Sequence, residues 1–562
     1  MGRQVAIGIQ KYNELIEKNY FYVDKTSFIK DWWENGDSVT LITRPRRFGK
    51  TLTMSMAECF FSTKYAGRSD LFEGCAIWQN KDYQKLQGTY PVISLSFSNV
   101  KETNYDTAIY RICQLLKMLY EQNAYLQDCD LLSKAEKEYF EHMAADMDEK
   151  DAPLALYQLS DFLSRYYGKN VIILLDEYDT PMQEAYVQGY WEELTGFTRS
   201  LFNSTFKTNP YLERAIITGI TRISKESIFS DLNNLEVVTT TSRKYSDCFG
   251  FTEEEVFTAM DECGRTDKDM VKKWYDGFTF GNTKDIYNPW SIINYLNKGE
   301  FSAYWANTSS NHLVGKLIRE GTRNIKTSFE ALLDGRHIKT SIDEQIVYSQ
   351  LDMDEQAIWS LLLASGYLKV VHFENYDPED GTAPVYELAL TNLEVRIMFQ
   401  NIISRWFGEV RSDYNEFIQA LLSGDVESMN HYMNEVALTI FSSFDAGTKP
   451  SGKTHPERFY HGFVLGLMVE LRTKYVITSN RESGLGRYDI VLEPRSSADD
   501  AIIIEFKVFN SKKEKNLEET LQNALQQIED KKYETNLRAK GIPSEKIRKY
   551  GFAFEGQTVL IG

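Results

Sequence analysis

The chain has 562 residues and a formal net charge of -18, with 42% hydrophobic and 26% charged residues. This length exceeds what one hydrophobic core supports, and the apolar runs are no longer than a strand, so we predict several soluble domains and no transmembrane helix. The acidic charge disfavours a non-specific coat for nucleic acid, and six scattered cysteines without a C-x-x-C pair argue against a zinc module or a disulfide framework.

The first distinctive segment, "NYFYVDKTSFIKDWW" (residues 19–33), mixes aromatic residues with Asp24 and Lys25. Its pattern favours a strand, a turn and a helix that pack on a sheet. Contact with an adenine base is the less favoured alternative. We therefore assign this segment to the structural core.

A phosphate-binding loop is predicted in "TLITRPRRFGKTLT" (residues 40–53). The apolar run before it suits a buried parallel strand, and the run after it has helical spacing. Between them, Gly49 lets the backbone curl around a phosphate, Lys50 reaches the β- and γ-phosphates, and the Thr51 hydroxyl can bind Mg²⁺. The alternative is that "FGKT" is a chance tetrapeptide.

Three arginines make this loop unusual, and Arg44 stands where a standard loop has its first glycine. Backbone N–H groups form most of such a cradle, so an arginine is compatible with it if its side chain points outward. Arg44 and Pro45 would then form a stiff turn, and Arg46 and Arg47 would be free to meet phosphates or another protomer of a homo-oligomer. The predicted nucleotide contacts of the loop are Arg46, Arg47, Phe48, Gly49, Lys50 and Thr51.

The run "NVIILLDEYDTP" (residues 170–181) predicts a buried parallel strand that ends in two carboxylates. This is the Walker B pattern, in which Asp176 holds the Mg²⁺ shell through water and Glu177 orients and deprotonates the attacking water. A helix cap or a surface turn is the alternative for such an acidic pair. The residues between the two motifs, from about 101 to 168, have a helical pattern and predict a long insertion.

A third strand is predicted in "RAIITGITRIS" (residues 214–224), with Thr218 and Arg222 near its end. In AAA-type ATPases a polar residue at such a strand end senses the γ-phosphate. Thr218 is therefore a candidate sensor and Arg222 a weaker one, although such residues are more often structural.

After residue 224, an N-capped acidic helix ("FTEEEVFTAMDECG") and a short second helix ("MVKKWYDGFTFGN") predict a small helical lid. Further along, the helix "EQAIWSLLLASGYL" is followed by two strand-like runs and another helix. This order predicts a winged-helix-like connector, which could touch DNA but more often only holds domains together.

The C-terminal region carries a second set of chemical groups. "GRYDIVLEP" and "AIIIEFKV" predict a hairpin, with Asp489 at the start of its first strand and Glu505 and Lys507 on one face of its second. Asp489 and Glu505 can bind Mg²⁺ or Mn²⁺, and Lys507 can position water or stabilise a charged phosphorane. A chance D…E-x-K is the alternative, but a carboxylate directly after four apolar residues is costly without a function.

Two helices flank this hairpin. The upstream helix "HPERFYHGFVLGLMVEL" carries Glu457, which could complete the acidic site; Glu470 is the alternative first-helix acid. The downstream helix "LQNALQQIEDKKY" contributes Gln527, which we add to the predicted catalytic residues, and Tyr533.

Together these motifs resemble the bacterial family in which an AAA-ATPase-like domain precedes a PD-(D/E)XK nuclease-superfamily domain. The first resemblance runs through "YFYVDKT", "RPRRFGKT", "LLDEYDTP" and "TGITRIS", and the second through "ERFYHGFVLGL", "SNRESGLGRYDIVLEP", "IIIEFKV" and "ALQQIEDKKY". The resemblance implies that the arginine-rich loop is the usual form of this family's Walker A motif. It also implies ATP binding and a nuclease fold, and it leaves the substrate open.

We therefore predict an α/β protein of three parts. Residues 1–235 form an AAA-like P-loop domain with a parallel sheet, residues 236–410 a helical lid and winged-helix-like connector, and residues 411–562 an α/β restriction-endonuclease-like domain. The expected cofactors are ATP and Mg²⁺, with Mn²⁺ as an alternative at the nuclease site.

The expected function is an ATPase coupled to a metal-dependent nuclease that acts on nucleic acid, with DNA favoured over RNA, in defence or in nucleic-acid processing. The N-terminal segment "MGRQVAIGIQ" lacks the features of a secretion signal, so we expect a cytoplasmic protein without a membrane partner. Two alternatives stay open, namely a nucleotide-gated switch and a remodelling ATPase whose nuclease fold binds without cutting.

Overall fold

The structure is a computed structural model that divides into two compact units, Met1–Met398 and Phe399–Gly562. It describes residues 4–222, 228–229, 232–305, 314–315, 317–318, 323–333, 335–343, 351, 355–374, 384–406, 414–441, 464, 468, 471, 474–479, 482–483, 486–487, 489–511, 513–555 and 558–562. Among these residues, no helix combines the length and apolar character that a membrane crossing requires. The domain limits near residues 235 and 410 stay predictions.

The first unit is built on a five-stranded parallel sheet with the strand order β2-β3-β4-β1-β5. Its strands are β1 (Val39–Thr43), β2 (Val92–Ser96), β3 (Val171–Asp176), β4 (Leu212–Gly219) and β5 (Leu235–Val238). Every residue of β1 and β3 is buried, as expected for strands covered on both faces. The loop after β1, the carboxylates after β3 and Thr218 of β4 thus reach the same edge of the sheet, with β4 between the other two.

Nine helices accompany this sheet in the described part of residues 4–222. They are α1 (Tyr12–Glu17), α2 (Ser27–Asn35), α3 (Lys50–Phe61), α4 (Lys81–Leu86), α5 (Tyr105–Gln122), α6 (Lys134–Ala145), α7 (Ala152–Tyr167), α8 (Thr180–Gln188) and α9 (Trp191–Phe202). The predicted insertion is present as α5, α6 and α7. The strand expected within residues 19–33 is wrong, because only Tyr20 forms a bridge, with Gln4, before α2 begins.

A small subdomain follows, and it contains more than the predicted helices. Its helices are α10 (Glu253–Glu262), α11 (Lys268–Tyr275) and α12 (Pro289–Lys298), and its strands are β6 (Phe251–Thr252), β7 (Phe278–Phe280) and β8 (Thr283–Tyr287). The strands form an antiparallel sheet in the order β6-β8-β7. The second predicted helix ends just before Gly277 (φ 122°), and a strand that the sequence did not predict lies between Gly277 and Gly281 (φ 54°).

The connector contains the predicted helix, hairpin and second helix. Its elements are α13 (Arg323–Leu333), β9 (Ile338–Thr340), α14 (Glu355–Ala364), β10 (Leu368–Glu374), β11 (Val385–Leu390) and α15 (Leu393–Trp406). The three strands pair antiparallel in the order β10-β11-β9. The division between the two units falls within α15.

The second unit is a mixed five-stranded sheet in the order β12-β15-β16-β17-β18. Its strands are β12 (Tyr475–Ser479), β13 (Glu482–Ser483), β14 (Gly486–Arg487), β15 (Ile490–Pro494), β16 (Ala501–Val508), β17 (Ile547–Glu555) and β18 (Thr558–Ile561), where β13 and β14 form a separate ribbon. Its helices are α16 (Tyr414–Ser423), α17 (Val426–Phe441), α18 (Leu517–Asp530) and α19 (Thr535–Ala539). The antiparallel pair of β15 and β16 confirms the predicted hairpin, and apolar clusters cover both faces of β16.

Candidate functional site

The loop after β1 has the geometry of a phosphate cradle. Gly49 adopts a left-handed backbone (φ 85°), and Lys50 opens α3 directly after it. The Lys50 amine donates to the carbonyl oxygens of Arg44 (2.8 Å) and Pro45 (2.9 Å), and burial lowers its pKa. The Lys50 amine therefore lies inside the loop, where it bonds the carbonyl groups at the start of the loop.

The acidic end of β3 contacts this loop. The Thr51 hydroxyl donates to Asp176 Oδ2 at 2.7 Å, and the Thr218 hydroxyl of β4 donates to Asp176 Oδ1. Glu177 follows with a left-handed backbone (φ 52°), which is uncommon for this residue type, and its N–H donates to Thr218 Oγ1 at 3.4 Å. The structure thus brings Lys50, Thr51, Asp176, Glu177 and Thr218 together as the sequence predicts.

Arg44 corrects the expectation that the loop arginines point outward. Its side chain is fully buried, and the guanidinium donates to the carbonyl oxygens of Thr43 (2.8 Å), Thr239 (2.7 Å) and Tyr245 (3.2 Å). It also lies over the Phe280 ring at 4.6 Å. Arg44 is therefore a structural anchor that ties the start of the loop to the chain after β5.

We expect Arg44→Gly, which restores the usual Walker glycine, to destabilise the protein. The change removes a large buried side chain and leaves the carbonyl groups of Thr239 and Tyr245 without their donor, at a cost of roughly 3–5 kcal/mol in the free energy of unfolding. Urea denaturation of the wild type, of Arg44→Gly and of Arg44→Lys measures this cost. A loss below about 1 kcal/mol for Arg44→Gly would contradict the anchoring role.

The three residues after Pro45 face different surroundings. Arg46 donates to Gln183 Oε1 at 3.4 Å, and its carbonyl oxygen accepts from Trp305 Nε1 at 3.0 Å. Arg47 is exposed, has a left-handed backbone (φ 67°) and lies over the Trp290 ring at 4.5 Å. The Phe48 ring is buried between Phe278 and Phe280, so its clearest contribution to a nucleotide would be its backbone N–H.

A cavity of about 520 Å³ opens beside the loop, which is within the usual range for a small-molecule site. One part of its lining is polar and includes Arg46, Lys50, Thr51 and Glu177. The remainder is largely apolar, and includes Ile9, Phe21, Tyr22, Val23, Phe251, Trp290 and Ile293. Residues 21–23 therefore line the cavity, which is compatible with contact to an adenine base, the less favoured alternative for this segment. Arg222 is not among the lining residues that the structure describes.

The second cluster of functional side chains lies on the hairpin of the C-terminal unit. Asp489 immediately precedes β15, whose first residue pairs with Ile504, so Asp489 lies beside Glu505. Asp489 Oδ2 accepts from the Phe506 N–H at 2.9 Å. Lys507 donates to Gln527 Oε1 at 2.7 Å, and Gln527 donates to Glu505 Oε1 and to the Tyr533 hydroxyl (3.1 Å). The four predicted residues thus form one contiguous network.

Glu505 has the properties of a group that lacks its ligand. Its side chain is 3% exposed, and Oε2 has no hydrogen-bond partner among the described residues. Burial, and then the charge of Asp489, raise the pKa of its carboxyl to about 8. A buried carboxylate oxygen with no donor, beside a second carboxylate, fits a divalent cation, which prefers hard oxygen ligands. No cluster of three or more metal-ligating side chains occurs in the described residues, and Glu457 and Glu470 lie outside them.

Asp179 is a further buried carboxyl group at this end of the sheet that was not predicted from the sequence. It follows Glu177 by two residues, is 1% exposed, and accepts hydrogen bonds from the chain after β4. The available signal was the third carboxylate in "DEYD", which continues a buried strand into a helix.

Comparisons with known proteins match the two parts of the chain in which these clusters lie. Residues 6–229 match the family model of a predicted AAA-ATPase, and residues 455–562 match the model of the PD-(D/E)XK nuclease superfamily. An uncharacterized protein in the vnfD 5' region of Azotobacter chroococcum mcd 1 is 26% identical over 560 residues, which cover 96% of this chain and 95% of that protein. The chain therefore combines an AAA-ATPase-like domain with a C-terminal domain of the PD-(D/E)XK nuclease superfamily.

Proposed function

We propose that the chain binds and hydrolyses ATP in its first domain and cleaves nucleic acid with Mg²⁺ or Mn²⁺ in its last. ATP occupancy would govern whether the nuclease acts. The observation that carries the nuclease part is the buried Glu505 with an unpartnered oxygen beside Asp489 and Lys507. DNA is the proposed substrate, and defence against foreign DNA or nucleic-acid processing in the cytoplasm the proposed setting.

Five residues would carry ATP hydrolysis. Lys50 would exchange its contacts with the loop carbonyls for contacts with the β- and γ-phosphates. Thr51 and Asp176, already joined by a hydrogen bond, would hold Mg²⁺, which neutralises charge on the phosphates when bound. Glu177 would take the proton of the attacking water, and Thr218 would orient Asp176 and the γ-phosphate. The apolar part of the cavity, which includes Phe21 and Ile293, would receive the base.

In the C-terminal site, Asp489 and Glu505 would hold the metal ion, which polarises the scissile phosphate and activates water when bound. Lys507 would stabilise the negative charge that develops on the phosphate. Gln527 bonds both the Lys507 amine and the Glu505 carboxylate, so it would fix the distance between these two side chains. Glu457 would add a third carboxylate.

Two assays on the same purified protein test this proposal, namely release of phosphate from ATP and release of labelled fragments from nucleic acid. Both activities should require a divalent cation. If the protein hydrolyses ATP but cleaves no nucleic acid with any divalent metal ion, a remodelling ATPase or a switch would be favoured. Cleavage without ATP binding would overturn the ATPase assignment.

Metal binding at the C-terminal site is expected to strengthen as the pH rises toward about 8. A carboxyl whose pKa is raised to about 8 holds a proton at lower pH, and a divalent cation must displace that proton. The affinity for Mn²⁺ should therefore increase up to about tenfold per pH unit below this value and level off above it. Calorimetric titrations across this range test the expectation, with Glu505→Gln as the variant that loses the dependence. Equal Mn²⁺ affinities at two pH values about two units apart, both below about 8, would contradict this expectation.

A further inference from the structure

One oxygen of Asp179 accepts an unusual number of hydrogen bonds. Its Oδ2 accepts from the backbone N–H groups of Ile220 and Thr221 and from the Thr221 hydroxyl, each at 2.9 Å. Gln183 of α8 donates to the same oxygen at 3.1 Å. Because a carboxylate accepts such bonds more strongly than a neutral group, this fully buried side chain is a firm anchor for residues 220–221.

The anchored segment is the continuation of β4 directly after Thr218. Tyr178 fastens it at two more points, since its N–H donates to the Thr218 carbonyl oxygen (3.0 Å) and its hydroxyl to the Thr221 carbonyl oxygen (2.8 Å). The two chains approach so closely that a Cβ atom on Gly219 would lie 2.8 Å from Asp179 Oδ1 and 2.6 Å from the Tyr178 ring. Glycine is therefore required at residue 219.

This fastening bears on Glu177 and Thr218, which depend on each other. The Glu177 N–H points at Thr218 Oγ1, and Thr218 Oγ1 donates to Asp176. Glu177 also has a left-handed backbone, which persists only where its surroundings hold it. Asp179 is the carboxyl group whose hydrogen bonds clamp the turn containing Glu177 to the strand containing Thr218.

We propose that Asp179 is a positioning residue for ATP hydrolysis, which holds the turn after β3 against the end of β4 so that Glu177 and Thr218 face the γ-phosphate together. This inference rests on the proposed ATPase function. Asp179 makes no hydrogen bond to Lys50, whose amine donates to the carbonyl groups of Arg44 and Pro45, and its charge raises the pKa of Lys50 less than the charges of Glu177 and Asp176 do. ATP affinity should therefore be nearly independent of Asp179, whereas turnover should depend on it.

The test compares Asp179→Ala and Asp179→Asn in the full chain. Asp179→Ala removes the acceptor, and the displaced catalytic groups should lower kcat about 100-fold, while the Kd for ATP changes less than about threefold. Asp179→Asn keeps an oxygen of the same shape but without charge, so kcat should fall only about fivefold. Asp276→Ala is the matched control, because Asp276 is also buried but lies in the subdomain of β7 and does not line the cavity. It should leave both quantities near the wild-type values.

A second measurement does not depend on activity. Hydrogen exchange of the amides of Ile220 and Thr221 should be faster in Asp179→Ala than in the wild type, because these N–H groups lose their acceptor. Equal exchange, or a kcat equal to that of the wild type, would overturn the proposal, as would a loss of ATP affinity that parallels the loss of kcat. If Asp179→Ala does not fold, Asp179→Asn decides, since a wild-type kcat would refute the role and a lower kcat at unchanged Kd would support it. Absence of ATP turnover in the wild type would instead defeat the proposed ATPase function itself.

Discussion

Glu505→Gln is expected to abolish nucleic-acid cleavage and to leave ATP hydrolysis unchanged. The variant replaces a metal-binding carboxylate by an amide, and even the loss of an outer partner of a metal site costs about 10–100-fold, so cleavage should fall by more than about 100-fold. Folding should be preserved, because a carboxyl with a pKa of about 8 is largely neutral near pH 7 and the amide has the same shape and charge. Gel assays with labelled DNA, run beside ATP turnover assays, measure both activities.

Glu518→Gln is the control for this change, since Glu518 is an exposed glutamate of α18. It should cleave at the wild-type rate. If Glu505→Gln kept more than about a tenth of the wild-type cleavage rate, the metal-binding role of Glu505 would be refuted. If both variants lost activity, the effect would lie in general charge loss and not in the site.

The second large effect is expected for Glu177→Gln. This variant should bind ATP normally, and its rate of ATP hydrolysis should fall by at least about 100-fold. A general base contributes about 10²–10⁴-fold to such a step, and glutamine cannot accept the proton of the attacking water. The backbone strain at Glu177 is unaffected because glutamine has the same unbranched Cβ as glutamate. Equilibrium binding of a labelled ATP analogue and steady-state turnover separate the two quantities.

Lys50→Ala is the contrasting variant, since it removes the cation whose amine bonds the loop carbonyl groups and should abolish ATP binding. Wild-type affinity in Lys50→Ala would refute the phosphate-loop assignment. Undiminished turnover in Glu177→Gln would leave that assignment intact and remove Glu177 from its role. The two variants therefore test the phosphate-loop assignment and the role of Glu177 separately.

The elements that the sequence predicts well are those whose signal is local. The strand β3 is a continuous apolar run that ends in Asp176, β1 combines apolar residues with threonines, and β16 opens with four apolar residues before Glu505; each lies in the middle of a sheet and is covered on both faces. Asp176 ends β3, Glu505 follows the apolar run of β16, and Lys50 follows β1 after the loop, so the approximate positions of both candidate sites follow from the same runs. The family matches cover residues 6–229, which contain β1 and β3, and residues 455–562, which contain β16.

The features that the sequence does not predict depend on residues far apart in the chain. Arg44 is buried because Thr239, Tyr245 and Phe280, about 200 residues later, supply carbonyl oxygens and an aromatic face. An arginine in a loop otherwise predicts exposure. The same holds for Asp179, whose donors come from the chain after β4. The strand β7 was not predicted because three residues between glycines are too few to show a period.

The most direct test of a coupled ATPase and nuclease is cleavage of labelled single- and double-stranded DNA and RNA by the wild type and by Asp489→Ala. The reactions contain Mg²⁺ or Mn²⁺, with and without ATP. We expect metal-dependent cutting of DNA that changes with ATP and is absent in Asp489→Ala. A wild-type protein that hydrolyses ATP but cuts none of these substrates, or an Asp489→Ala variant that cuts as fast as the wild type, would contradict this account.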